Sequence, residues 1–398
     1  MKRFLAVLLG LAVSLTACAP AASETTSEAP ATVETAPAEA AEETAAFPVG
    51  QLRFVSYQES TADAVYNTVF ASPEGDIPVL RLLKTDLATA RRSTLFSIEV
   101  PSRVHSDVMS YGDSICVFAN DAMYQVPQNG GEARVVPLGF DFVPDCADEY
   151  SAYDFDYTYP DSHNNGVRLD LATGECTSLA LPDQTQSIYA VGTERFLLRR
   201  VISDVPLPDP EEWEQFEAVL QNAVLEYDWY DPVTGAVEKI YSEPYYGQAQ
   251  ADGTRKQRSF LGMARDRLYF DWFAGDGSVG GTESCAADGS DWQAVPGKPG
   301  NQRCNWTYTQ NGSLRWLMGG RVGSVWIYDL ADGKVYDMPH ITEANGWPEM
   351  LVGQEQVMVS VGTEPSVVSG FAVISLQDYL AGSTAWTPIQ GAQAEPSA

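Results

Sequence analysis

The chain has 398 residues, 44% of them apolar, and a formal charge of −30. That length accommodates one large all-β domain or two ordinary domains, and the apolar share suffices for a buried core. The acidity argues against nucleic acid and against adsorption on anionic lipid, since both need a basic surface.

Lys2 and Arg3 precede an apolar run from Phe4 to Leu15 that is too short to span a bilayer comfortably. Leu15, Thr16, Ala17 and Cys18 follow. These first residues resemble the signal of bacterial lipoproteins, in which a small residue precedes a lipidated Cys. The resemblance implies that residues 1–17 are a signal peptide and that Cys18 carries diacylglyceride. It places the rest outside the cytoplasmic membrane, or on the outer membrane if the source has one. No later segment is long and apolar enough to cross a membrane, so the expected anchor is the lipid alone. From Ala19 to Ala46 the chain is Ala, Thr, Glu and Pro with no basic residue. Such a segment cannot bury a core, and residues 18–46 are expected to be a disordered tether. Stretched as polyproline it reaches on the order of 80 Å, at roughly 3.1 Å per residue. Residues 47–389 are then the folded domain and 390–398 a disordered tail.

Within the domain one sentence recurs. Val325–Met338 reads as two short strands closed by a two-residue turn at Asp332 and Gly333, and similar stretches start at Val167, Tyr227 and Glu283. Turn pairs near Ala88, Asn129, Thr173, Thr234, Asp288 and Asp332 are mostly spaced by a little over forty residues, with a poorer one near Gln377. A period in the forties with four short strands per unit predicts an all-β fold, a β-propeller of seven blades, with six or eight as alternatives. The expected blades cover 50–100, 103–139, 141–181, 186–241, 258–297, 302–339 and 347–389. In blade six, Asn311 and Gly312 join the first two strands. A β-sandwich with a second β domain explains the short strands but not their even spacing.

Pro206 to Glu226 breaks the pattern. Asp209 and Pro210 read as a helix start, and Trp213, Phe216, Val219, Leu220, Ala223 and Val224 recur at helical spacing. An amphipathic helix is therefore expected between the second and third strands of blade four.

Leu268 to Trp272, followed by Asp288, Gly289 and Ser290, resembles a blade of the low-density-lipoprotein-receptor-type propellers. Phe270 stands where those have Trp, and they are usually six-bladed. The hairpins at Thr173 and Thr234 resemble those of quinoprotein-type propellers. Both resemblances imply fold rather than function.

Chemical signals are sparse. The three His are His105, His163 and His340, with no pair at metal-ligand spacing. Acids crowd Asp141 to Asp161, including Asp154 and Asp156 on one strand face, which offers a calcium site, an acid pair for glycan hydrolysis, or a solvated acidic blade. Aromatics interleave with acids in Tyr153–Tyr159, Tyr227–Asp231 and Tyr269–Phe273, as core or as sugar platforms. Beyond Cys18, an odd number of Cys leaves at least one thiol unpaired within the chain. Cys116 should be buried and unreactive, while Cys285 with Cys304 and Cys146 with Cys176 are candidate disulfides.

The longest loops join second to third strands and should share one rim of the propeller, where binding is usually placed. Asp161, His163, Asn164, Asn165, Trp213, Asp276 and Arg321 are the candidate binding residues on it. The expected function is a non-catalytic, lipid-anchored binding module for a protein, peptide or glycan, without cofactor, metal or nucleic acid, as a monomeric domain. The alternatives are a glycan-active enzyme using carboxylates at the channel mouth and a scaffold subunit of an envelope complex.

Overall fold

The computed structural model describes residues 47–71, 77–101, 106–155, 165–208, 212–251, 253, 255–295, 297, 303–353, 355–362 and 368–391. These form seven sheets, each built on four antiparallel strands that are consecutive in the chain. The strands span 58–99, 108–137, 146–180, 185–244, 255–294, 304–337 and 348–388. The fold is a seven-bladed β-propeller, and six and eight blades are set aside.

The recurring hairpin has a local cause that the two-residue turn did not anticipate. In blade six Asp329 pairs with Lys334, so the loop holds four residues, not two. The Asp329 carboxylate accepts the Ala331 N–H at 2.7 Å, and the Gly333 N–H reaches the Asp329 carbonyl at 2.9 Å. Gly333 takes φ +69°, which explains its place at the fourth loop position. Asp170 and Asp231 cap their loops in the same way, accepting from Thr173 at 2.8 Å and from Val233 at 2.8 Å. In blade one Asp86 accepts from Thr89 at 2.8 Å. An Asp that closes the third strand thus satisfies turn N–H groups that would otherwise go unpaired.

The buried apolar residues fall into seven clusters, and each joins two neighbouring blades. Blades one and two share Leu82 and Val117; two and three share Phe118 and Leu169; three and four share Tyr153 and Phe196. Blades four and five share Trp229 and Phe270; five and six share Tyr269 and Trp326; six and seven share Trp316 and Tyr379. The ring shuts through Val65, Leu87 and Ala90 of blade one against Val352, Met358 and Val373 of blade seven. This last cluster has the fewest buried members, and two further features hold the seam. Gln390–Gly391 pairs in parallel with the outer strand of blade one, and the Arg92 guanidinium lies 5.4 Å from the Phe371 ring centre. Gln390–Gly391, in the stretch expected to be a tail, is therefore a paired strand.

Antiparallel connectivity gives the propeller two ends. Turns between first and second strands, and between third and fourth, lie at the lower end; the other connections lie at the upper. Residues 50–56, expected in blade one, instead form an arm along the axis. Val49 and Leu52 wedge between blades three and four. The Leu52 N–H donates to the Thr193 carbonyl at 2.9 Å, in the lower turn of blade four. Arg53–Phe54 then pairs with the inner strand of blade three, Cys146–Ala147. Ser56 bridges to Val108 of blade two, and the chain reverses into Gln58–Ser60, the inner strand of blade one.

The helix is present between the second and third strands of blade four but is shorter than expected, Trp213–Leu220. Val224 to Glu226 belongs to the next strand, because the alternation of Val224–Tyr230 pairs with blade four's second strand. Residues 209–211 lie outside the described residues, and the residue preceding the helix is Glu212, which makes no side-chain cap. Leu220 is buried in the cluster between blades four and five, Phe216 packs on it, and Trp213 is 50% exposed.

Neither candidate disulfide forms. Cys146 lies on the inner strand of blade three and Cys176 on its outer strand. Three strand spacings of about 4.8 Å separate them, beyond the roughly 7 Å that a disulfide allows between Cα atoms. Cys285 packs between blades four and five, Cys304 between five and six, on opposite faces of one sheet. Burial pushes the Cys116 thiol up to about 12 and the Cys285 thiol up to about 11, in keeping with unreactive core thiols.

Gly312, in the first turn of blade six, packs closely on the arm. It sits at φ +79°, and a Cβ there would lie 2.6 Å from the Leu52 carbonyl oxygen and 2.7 Å from the Gly192 nitrogen. Gly312→Ala should destabilise the fold by about 1–3 kcal/mol in urea unfolding, from backbone strain and displacement of the arm. An unchanged midpoint would mean that the arm does not pass beneath this turn.

Candidate functional site

The upper rim carries the predicted residues that are described. Asn165 begins the third strand of blade three, Trp213 begins the blade-four helix, Asp276 lies in the blade-five turn and Arg321 in the blade-six turn. All four are exposed, on four different blades, and none of them lines either of the two cavities described below. Asp161, His163, Asn164 and Cys18 lie outside the described residues. Asp276 is occupied locally: its carboxylate accepts from the Ser278 N–H at 2.9 Å and hydroxyl at 2.6 Å, which holds it below the usual carboxylate range. A cleft of about 510 Å³ lies beside it, where Gln221 of the helix region, Tyr246, Arg255 and Phe273 face one another.

The acidic stretch of blade three is used structurally. Asp148 accepts the N–H groups of Tyr150 and Ser151 and the Tyr153 hydroxyl; Asp145 accepts from Phe155, and Asp154 from Val143. Asp156 and Asp161 are not described. The aromatic and acidic alternations serve the core in the same way. Tyr153, Tyr227, Trp229 and Phe270 are buried, and Asp228 is buried against Arg200 at 3.0 Å.

A different site lies on the axis. A cavity of about 870 Å³ opens at the lower end between blades six, seven and one, with the arm as its remaining wall. Its mouth is framed by the first turns of these blades, at Thr61, Asn311 and Gly353. This is the rim opposite to the one predicted from loop length. Loop length reports tolerated insertions, whereas the cavity lies between the inner strands of blades six, seven and one and the arm.

Of the three carboxylates that line it, Glu59, Glu349 and Glu355, the first two have unlike surroundings. Glu59 is held by Arg53, with Nη1 at 2.7 Å from Oε2, and accepts the Ser110 N–H at 3.1 Å. The Arg53 Nη2 also donates to the Ser110 hydroxyl at 3.1 Å, so the arm, blade one and blade two are tied at one point. Glu349, on the inner strand of blade seven, has no cationic partner among the described residues. Burial pushes its carboxyl above the usual range, partly offset by a hydrogen bond from Ser360. Its charge in turn adds to the upward push that burial gives the Tyr57 and Tyr308 phenols.

Sequence reasoning missed Arg53, Glu59, Tyr308 and Glu349 as a group. Nothing in local pattern shows that Arg53 leaves blade one to lie against blades two and three.

Neither a known protein family nor a curated relative matches the sequence. Solved structures of similar fold include an oligogalacturonate lyase from Vibrio parahaemolyticus, at 12% identity and TM-score 0.44, covering 86% of each chain. Another is an oligogalacturonate lyase in complex with manganese, at 14% identity and TM-score 0.41, covering 83% of this chain and 84% of that one. A third is the Cps50 (Swd1) β-propeller domain of Myceliophteria thermophila, at 12% identity and TM-score 0.38, covering 81% of this chain and 96% of that one. At such identities the likeness concerns the fold alone.

The raised Glu349 carboxyl has a consequence for stability. Between its ordinary value in the unfolded chain and its higher folded value, the folded state binds more protons. Stability must therefore fall as pH rises through that window. Glu349→Gln should remove this slope and raise the urea midpoint at neutral pH. A lower neutral-pH midpoint in the variant would show that the charge has a stabilising partner.

Proposed function

We propose that the protein is a non-catalytic binding module held outside a bacterial cell by lipid on Cys18. The reading is carried by one observation, the polar cavity of about 870 Å³ on the axis of a rigid ring of sheets. Cavities of this volume bind small or extended ligands in many folds. The ligand class is a protein, peptide or glycan. The lipoprotein-like signal and the acidic, Pro-rich stretch after it support an anchored domain standing off the membrane.

A second reading is favoured by Glu59 and Glu349 on the cavity wall. An ion-paired Glu59 and a Glu349 whose carboxyl is pushed upward by burial form an unlike pair of the kind that acid–base hydrolysis of a glycan uses. A scaffold docking through the blade-four helix has less support, because Leu220 and Phe216 of its apolar stripe already pack on the propeller.

The test is to present immobilised oligosaccharides and peptides to the full chain and assay both retention and cleavage. Retention without product is expected, with Cys18→Ser moving the protein out of the membrane fraction while retention persists. Saccharide cleavage lost in Glu349→Gln would turn the account to the enzyme. No retention and no cleavage would contradict both.

A further inference from the structure

Three of the seven inner edges of this propeller carry added segments of the same chain, while among the described residues the inner strands of blades one, four, six and seven are terminal in their sheets. Arg53–Phe54 adds to the inner strand of blade three, and Ser56 bridges to that of blade two. Gln248–Ala249 adds to the inner strand of blade five. The inner strand of blade six, Cys304–Gln310, is the terminal strand of its sheet and carries no such addition among the described residues. It is accessible, with Asn305, Trp306, Thr307 and Thr309 exposed. It contains neither Pro nor Lys, the residues that usually block an edge from further pairing. Thr307, Tyr308, Thr309 and Gln310 form one wall of the axial cavity, and Glu349 stands on the adjoining wall.

We propose that the axial cavity takes an extended peptide, which adds as a strand to the inner edge of blade six and sets a lysine or arginine against Glu349. This rests on the binding reading above and names its ligand class. Main-chain hydrogen bonds to an open strand edge supply affinity without sequence demands, and a side-chain partner supplies selectivity. The arm is the intramolecular precedent, since it adds to inner edges in the same channel and brings Arg53 to Glu59 at 2.7 Å. A basic side chain would repeat that pairing at Glu349, whose charge is half-buried and uncompensated. The formal charge of −30 favours the approach of a basic peptide and opposes an acidic one. It also opposes the protein's own Glu-rich stretch before residue 47 as the occupant.

The probes are capped pentapeptides of threonine and serine with lysine, alanine or glutamate at the centre, titrated calorimetrically into the full chain. The lysine peptide should bind about ten-fold tighter than the alanine peptide, and the glutamate peptide weaker than either. N-methylation of alternate backbone amides should abolish binding in one register and spare it in the other, because only one edge of the peptide faces the strand. Glu349→Gln, close in shape, should bring the lysine peptide to the alanine level. Equal binding of all three peptides, or equal tolerance of both N-methylation registers, would overturn the proposal. Retention of saccharides with no peptide binding would end it while leaving the binding reading intact; loss of both would end both.

Discussion

Apolar burial between neighbouring sheets is the constraint from which the rest of this structure follows. A four-stranded sheet of short strands has two faces to cover and no second layer of its own. Here every blade covers one face with the blade before it and the other with the blade after it. Trp316 and Tyr379, or Tyr153 and Phe196, are hidden only because two sheets meet over them. Such a chain cannot stop after a few repeats without leaving an apolar face in water. Closing the circle is how the terminal faces are covered.

The closure is unusual in one respect that matters for function. Blades one and seven each complete four strands from their own stretch of chain, so no shared blade locks the ends. The seam instead relies on a small apolar cluster, on Gln390–Gly391 outside, and on Arg92 against Phe371. At the other terminus the arm braces the inside, tying blades four, three, two and one in succession. Because the arm follows only part of the inner wall, it leaves the cavity beside blades six, seven and one. Site and closure therefore have one origin.

Much of the architecture was legible because it is repeated locally. The hairpin with its Asp before the loop and Gly or a small residue near the end is written into four blades, and the period follows from it. The Asn311–Gly312 turn emerged as expected, with two loop residues between Gln310 and Ser313. The loop size at Asp332 was misread because an Asp–Gly pair is compatible with both a two-residue turn and the end of a four-residue one. What the sequence could not show is what depends on distant partners. The arm looks like any first strand until blades two and three are placed beside it. Glu349 looks like any surface acid, and Cys285 looks close to Cys304 until a sheet stands between them. The candidate site belongs to this second kind, which is why loop length pointed to the opposite rim.

The claim that the ring is closed, and closed at its weakest seam by Gln390–Gly391, can be measured by native-state hydrogen exchange on the chain truncated after Pro388. The account predicts that protection falls first in Ala64–Ala71, Val79–Asp86 and Gln356–Val361, on either side of the seam, while blades three and four keep theirs. Unchanged exchange at the seam, or loss that begins in blades three and four, would contradict it.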